Sequence, residues 1–100
     1  MSKVVVLGAG MVGSAIAIDM AKNHDVTLTD LNKSVLDKTK LQHNSISTQQ
    51  LDVTNKEDLQ STIKQYDLVI CAVPGYLGYK TLEAIVETEM NVIDISFFPE

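Results

Sequence analysis

Short apolar runs alternate along this chain with segments whose apolar residues recur every three or four positions. The first run, residues 3–7, is rich in β-branched valine and ends at a glycine, which is typical of a buried strand. Val12, Ile16 and Met20 then recur at four-residue spacing. They predict a helix from residue 11 to about residue 23 with these three side chains as its buried stripe.

The same alternation continues to the end of the chain. The runs with strand character are residues 3–7, 25–29, 46–51, 67–73 and 91–95. Helical segments are predicted over residues 11–23, 32–42, 54–63 and 79–89. The third strand is polar, which places it near a sheet edge. The alternation predicts a doubly wound, Rossmann-type α/β fold, a parallel sheet of five strands in the order 3-2-1-4-5 with helices on both faces.

Polar residues are predicted to mark the start of the second and third helices, and apolar residues the buried side of the fourth. Asn32 is predicted to cap the second helix. The segment from Thr54 to Glu57 matches a capping box, with Thr54 as the cap of the third helix and Glu57 reaching back to it. The fourth helix is expected to bury one side, made of Leu82, Ile85 and Val86.

A glycine-rich loop with the pattern G-x-G-x-x-G joins the first strand to the first helix, the context in which this pattern is informative. Gly8 is expected to allow the tight turn out of the strand. Gly10 would let a pyrophosphate approach the backbone, and Gly13 would let the helix pack close to the sheet. The alternative is a tight strand-to-helix turn that uses glycines only for its own geometry.

The first turn of the first helix is predicted to bind the anion. The backbone N–H groups of Met11 and Val12 have no acceptors within the helix, and the helix dipole favours a negative charge there. Their apolar side chains are expected to belong to the core as well. The loop lacks the Gly-Lys-Ser/Thr ending of an NTPase phosphate loop.

Asp30 ends the second strand and follows Gly10 by 20 residues, the spacing expected of the carboxylate that binds the adenosine ribose. The same charge would repel the 2′-phosphate of NADP by about 4 kcal/mol at 4 Å and an effective dielectric of 20, roughly a thousandfold preference for NAD. Lys33 is expected to weaken this preference at most, and not to reverse it. The alternative is a helix-capping or solvated aspartate.

Two other strand ends are candidate contacts, because ligands of open α/β sheets lie outside the carboxyl ends of the strands. Asp52 and Val53 follow the third strand and are expected near the adenine, although this segment also reads as a helix start. Ala72, Val73 and Pro74 follow the fourth strand and would pass the pyrophosphate or the nicotinamide-side ribose, unless they form only an ordinary turn.

Composition narrows the possible partners. The 100 residues fit one domain, and a net charge of -5 argues against nucleic acid. No run is long enough to span a membrane. The single cysteine, Cys71, permits no internal disulfide, which suits the reducing cytoplasm. No pattern indicates a catalytic nucleophile with its base, or a metal cluster.

Four segments carry a family resemblance: residues 6–13, 51–54, 72–78 and 92–100. They resemble the amino-terminal part of the saccharopine dehydrogenase-like family, which includes lysine dehydrogenases. The resemblance implies a pyridine-nucleotide-dependent oxidoreductase that moves a hydride between the nicotinamide and an amino acid or imine. It also implies cofactor contacts at Gly8, Gly10, Gly13, Asp30, Asp52 and the turn that begins at Ala72.

Residues 1–100 are therefore interpreted as a dinucleotide-binding domain, the amino-terminal part of a longer two-domain enzyme that is not active by itself. The fifth strand would leave an apolar edge, which predicts either a missing carboxyl-terminal substrate domain or a homodimer through that edge. The alternative function is a regulatory NAD(H)-sensing module like those of potassium-uptake systems. A third possibility is a degenerate domain that only mediates assembly.

Overall fold

The computed structural model describes residues 2–95 as alternating strands and helices. The strands are β1 (Lys3–Leu7), β2 (Asp25–Asp30), β3 (Ser47–Gln50), β4 (Leu68–Cys71) and β5 (Val92–Asp94). The helices are α1 (Met11–Met20), α2 (Lys33–Gln42), α3 (Lys56–Ile63) and α4 (Gly75–Val86). The last part of the fourth family-like segment, residues 96–100, lies outside the described residues.

The five strands form one parallel sheet in the order β3-β2-β1-β4-β5, which confirms the predicted topology. β1 is central, and Val5 pairs with Thr27 of β2 and Val69 of β4. β3 lies at an edge, as its polar sequence predicts, while the flanking Ile46 and Leu51 are buried.

Helices cover both faces of the sheet, which explains why β1 is almost uniformly apolar. Val5 packs on one face with Leu59 of α3 and Ile85 of α4. Val6, which points to the other face, packs in the cluster that contains Ala17 of α1. A strand buried on both sides needs no polar alternation, so its valines continue from one face to the other. Within residues 2–95, no helix is long and apolar enough to cross a membrane.

The predicted stripe of α1 is wrong. Gly13 and Ala17 are its buried residues, whereas Val12 is 41% exposed and Ile16 and Met20 are only partly buried. The reason is the close approach of this helix to the sheet, which leaves room for the smallest side chains only. Larger apolar residues lie at the sides of the contact. The helix also ends at Met20, three residues before the predicted end.

The fourth helix begins earlier than predicted, at Gly75 rather than at residue 79. Pro74 is its N-cap, so the Pro-Gly pair starts the helix instead of forming a separate turn. The buried side consists of Gly78, Thr81, Ala84 and Ile85. Val86, predicted to be buried with Ile85, is 57% exposed, because the side that faces the rest of the fold runs through Thr81, Ala84 and Ile85 instead.

The cap of α3 also differs from the prediction. The side chain of Asn55 accepts a hydrogen bond from the Asp58 backbone N–H, so Asn55 is the N-cap and Thr54 is not. Thr54 instead donates its N–H and hydroxyl to the Asp52 carboxylate. Thr54 and Asn55 are both suited to capping, but Thr54 is hydrogen-bonded to the Asp52 carboxylate and only Asn55 caps the helix. The cap of α2 is Asn32, as predicted.

Candidate functional site

A crevice is expected at the carboxyl edge of the sheet between β1 and β4. These strands are neighbours, but the chain leaves β1 toward β2 and leaves β4 toward β5, on the other side. Such a reversal of direction separates the two loops and opens a binding site between them. The glycine loop, Asp30 and the turn after β4 all lie at this edge.

Two of the three loop glycines are required by the fold itself. Gly8 has φ +101, a conformation that favours glycine, and a Cβ there would lie 2.9 Å from the Ala72 carbonyl oxygen. A Cβ on Gly13 would lie 1.9 Å from the Gly8 carbonyl oxygen. The roles predicted for these two residues, the turn and the close helix packing, agree with this geometry. Ala72 faces both, since its Cβ would be 3.3 Å from a Cβ at residue 13.

Gly10 is different, because nothing in the described residues requires a glycine there. Its φ of -69 suits any residue, and a Cβ would meet no heavy atom within 4 Å. The open space beside Gly10 lies at the start of α1, where Gly10 is the N-cap and no side chain caps the helix. A glycine without an internal reason, facing open space at a helix N-terminus, fits a site where an anion approaches the backbone.

The distribution of helix caps marks the same crevice. α2 and α3 are capped by the side chains of Asn32 and Asn55. α1 and α4 begin at Gly10 and Pro74 without a side-chain cap, and they follow the neighbouring strands β1 and β4. Orphan N–H groups of a first turn need an external partner. The two helix starts that lack a side-chain partner therefore flank the place where the sheet topology reverses.

Met11 and Val12 do not belong to the core, contrary to the prediction. The Met11 side chain is 90% exposed and that of Val12 is 41% exposed. Both residues lie in the first turn of α1, whose buried side is taken by Gly13. Only their backbone positions match the expected role.

Asp30 is partly buried, and both of its carboxylate oxygens accept backbone hydrogen bonds. Oδ2 accepts from the Ala9 N–H at 2.7 Å, and Oδ1 accepts from the Asn32 N–H at 2.8 Å. It is not the N-cap of α2, a role that Asn32 has. Lys33 is turned to its own helix, where it pairs with Asp37 at 2.9 Å.

A small cavity of about 140 Å³ joins the ends of β2, β3 and β4. Four predicted contact residues line it: Asp30, Asp52, Val53 and Val73. The remaining lining residues are Leu31, Leu51, Thr54 and Leu77. Whole-cofactor pockets are usually about 300–1,000 Å³, so this cavity accommodates only one end of a dinucleotide.

Leu31 and Leu77 were not identified from the sequence. Leu31 follows the strand-end carboxylate and is largely exposed, and a large apolar residue at that place is a signal for a ligand contact. Leu77 lies in the first turn of α4, and its position at this edge becomes clear only once the helix start is placed at Gly75. Together with Val53 they give the cavity apolar walls.

Asp52 has a firmly held charge. Its Oδ1 accepts from the Thr54 hydroxyl and from the Thr54 N–H, and these two bonds lower the pKa of the carboxyl below its ordinary value of 3.8. The carboxylate is exposed and anionic at neutral pH. It can accept hydrogen bonds from an amino group in the cavity.

A larger cavity of about 420 Å³ lies between the start of α3 and the side of α4. It shares Val53, Thr54 and Leu77 with the smaller one but is lined on its far side by charged residues of α4. Of the predicted contact residues only Val53 lines it, whereas Asp30, Asp52, Val53 and Val73 line the smaller cavity. The smaller cavity, beside the crevice, is therefore the better candidate for one end of a cofactor. The described residues hold no cluster of three or more potential metal ligands.

The fold and the crevice define a dinucleotide-binding domain of the Rossmann type. A family model described as Saccharopine dehydrogenase NADP binding domain matches residues 4–100. The chain belongs to this family, which confirms the resemblance found in its sequence. It is a nicotinamide dinucleotide-binding module.

Individual relatives agree with this placement. A glycerol-3-phosphate dehydrogenase (NAD(P)+) of Leuconostoc citreum is 38% identical over 96 residues, covering 88% of this chain and 28% of the relative. Apo saccharopine dehydrogenase (L-Glu forming) from Saccharomyces cerevisiae has a TM-score of 0.81 at 22% identity, covering 99% of this chain and 22% of that chain. A 3-hydroxyacyl-CoA dehydrogenase from Archaeoglobus fulgidus has a TM-score of 0.61 at 27% identity, covering 98% of this chain and 33% of that chain. This chain thus spans a third or less of each relative.

Proposed function

We propose that the crevice between β1 and β4 binds NAD, and that this domain positions the cofactor for an oxidoreductase. The observation that carries the proposal is Gly10, a glycine that no contact within residues 2–95 requires, at the start of α1, which has no side-chain cap. The structural alternative, a loop that uses glycine for its own geometry, accounts for Gly8 and Gly13 but not for Gly10.

The proposed contacts divide along the cofactor. The N–H groups of Met11 and Val12 would hold the pyrophosphate in the loop shaped by Gly8 and Gly13. Asp30 would accept hydrogen bonds from the adenosine ribose. The remaining candidate contacts are Asp52, Val53 and Val73 around the adenine, and Ala72 and Pro74 toward the pyrophosphate or the nicotinamide-side ribose. The bound cofactor would supply hydride transfer at its nicotinamide.

The local residues favour NAD over NADP, although the family description names NADP. The Asp30 charge would face a 2′-phosphate, and two unit charges 4 Å apart repel by about 1 kcal/mol in bulk water and about 4 kcal/mol at an effective dielectric of 20. Because Asp30 is partly exposed, the preference for NAD lies between about fivefold and about a thousandfold. The sequence contains no arginine to hold the phosphate, and Lys33 is paired with Asp37.

The enzyme that we infer is longer than this chain and acts on an amino acid or its imine. The support is the family match together with the relatives, of which the chain spans between 22% and 33%. In this proposal a further domain, or a second copy of this chain, binds the substrate and provides the catalytic acid and base. We propose a cytoplasmic location because the sequence contains a single cysteine, Cys71, which permits no internal disulfide and suits a reducing compartment.

Calorimetric titration of the chain with NADH and NADPH tests the proposal. We expect NADH to bind at least about fivefold more tightly, and the ratio of the two dissociation constants to approach one in Asp30→Ala. Asp25→Ala is the matched control, since Asp25 lies at the opposite end of the same strand. Failure of both nucleotides to bind would refute cofactor binding. An NADPH preference in the parent would refute the assignment to NAD.

A further inference from the structure

Ala9, between the first two glycines, is held on both of its backbone groups by side chains. Its N–H donates to Asp30 Oδ2 at 2.7 Å, and its carbonyl accepts from the Ser14 hydroxyl at 2.9 Å. Ala9 as a whole is 3% exposed and belongs to the core cluster on the α1 side of the sheet. The loop conformation at this residue is therefore defined by two polar side chains and a buried methyl group.

The Asp30 carboxylate connects two separate stretches of backbone. One oxygen binds the glycine loop after β1, and the other binds the Asn32 N–H after β2. A backbone bond from the Gly8 N–H to the Thr29 carbonyl, 3.0 Å long, runs beside it. Hydrogen bonds to an ionised acceptor are shorter and about twice as strong as those between neutral groups. The carboxylate is thus the strongest acceptor that the described structure offers the loop.

We propose that Asp30 is a positioning residue that fixes the glycine loop before any cofactor is present, in addition to the ribose contact. This inference deepens the proposed function and rests on it for its consequence in binding. A loop already held in shape binds an anion without an ordering cost. The pyrophosphate half of the site and the ribose half are therefore coupled through one carboxylate. A ligand without a ribose should also bind less well when the hydrogen bonds of that side chain are removed and the charge at the position is kept equal.

The two bonds make a graded prediction for side chains at this position. An asparagine has an amide NH2 in place of one of the two carboxylate oxygens. It can therefore accept a hydrogen bond from the Ala9 N–H or from the Asn32 N–H, but not from both. An alanine accepts from neither. Ser14→Ala removes the other support of Ala9 without touching the ribose side of the site. Loop order should fall from the parent to Asp30→Asn and further to Asp30→Ala, with Ser14→Ala also below the parent.

The first measurement is amide hydrogen exchange by NMR in the ligand-free chain. Loss of a bond to a charged acceptor, about 1.5 kcal/mol or more, should speed exchange of the Ala9 amide by about tenfold or more in Asp30→Ala. Asp25→Ala, at the other end of β2, should leave that rate unchanged. An unchanged Ala9 rate in both Asp30 variants would overturn the inference. If Asp30→Ala fails to fold, Asp30→Asn is measured at both the Ala9 and the Asn32 amides, because it can keep only one of the two bonds, and parent-like rates at both amides would overturn the inference.

The second measurement is the affinity for inorganic pyrophosphate, which has no ribose to contact Asp30. We expect affinity to fall in Ser14→Ala, which keeps the Asp30 charge, relative to the parent. We also expect Asp30→Ala to bind pyrophosphate less tightly than Asp30→Asn, because both lack the charge that repels an anion but only Asp30→Asn can keep one of the two bonds. Parent-like affinity in Ser14→Ala together with equal affinities in the two Asp30 variants would leave Asp30 as a ribose contact only and overturn its positioning role. Because the exchange experiment contains no ligand, it separates failure of this inference from failure of cofactor binding itself.

Discussion

The three loop glycines should respond differently to the same added methyl group. In Gly10→Ala the Cβ enters open space, and φ -69 is ordinary for alanine. Replacing a glycine by alanine at an N-cap costs about 0.5–1 kcal/mol, which the reduced entropy of the unfolded chain, about 0.4–1 kcal/mol, offsets. The free energy of unfolding should therefore change by less than about 1 kcal/mol, a shift in Tm within about 8 °C.

Binding should change far more than stability in this variant. The added methyl group would occupy the space through which an anion approaches the start of α1. Loss of one or more charge-assisted hydrogen bonds, about 1.5–3 kcal/mol each, weakens NADH binding by roughly tenfold to more than a hundredfold.

Gly13→Ala is the matched comparison. Its Cβ would lie 1.9 Å from the Gly8 carbonyl oxygen, so α1 has to move away from the sheet. Such overpacking costs about 1–3 kcal/mol or more, and Tm should fall by at least about 4 °C. Scanning calorimetry measures stability and isothermal titration with NADH measures binding. The reasoning is refuted if Gly10→Ala binds NADH as well as the parent, or is destabilised as strongly as Gly13→Ala.

Two further predictions concern the segment after β3. Asn55→Ala should lower the free energy of unfolding by about 1 kcal/mol in urea denaturation, because the cap of α3 is lost. Thr54→Ala should lower the free energy of unfolding by less than Asn55→Ala. A larger loss in Thr54→Ala would indicate that Thr54 is the cap. Thr54→Ala should also raise the pKa of Asp52 toward 3.8 in an NMR titration, since the hydroxyl bond is the main cause of its lowering. The Asp52 contribution to stability is present above 3.8 and is lost as the pH falls through the lowered pKa, so Asp52→Asn should flatten stability in that acidic range. An unshifted Asp52 titration in Thr54→Ala would contradict this explanation.

The topology could be predicted from the sequence because it depends on features that repeat along the chain. Apolar runs separated by helical segments lead to a parallel sheet, and a glycine loop at the first turn leads to strand order 3-2-1-4-5, as observed. The strand-end position of Asp30 follows from the same pattern.

Burial within helices could not be predicted as well, because apolar periodicity ignores how closely a helix approaches the sheet. In α1 the contact is so close that Gly13 and Ala17 are buried and larger residues lie beside it. In α4 the Pro-Gly pair begins the helix, so Leu77 lies in its first turn and lines the cavity, and small residues again occupy part of the buried side. The two bonds that occupy the Asp30 carboxylate depend on loop geometry that no spacing encodes.

The most direct test of the central claim is NMR mapping of backbone amides during titration with NADH. We predict saturable shifts at the N–H groups of Gly10 to Gly13, where α1 begins, and at Leu31 and Val53 beside the small cavity. Shifts confined to the larger cavity around Lys56 and Lys80, or no saturable shifts at all, would contradict the proposed site.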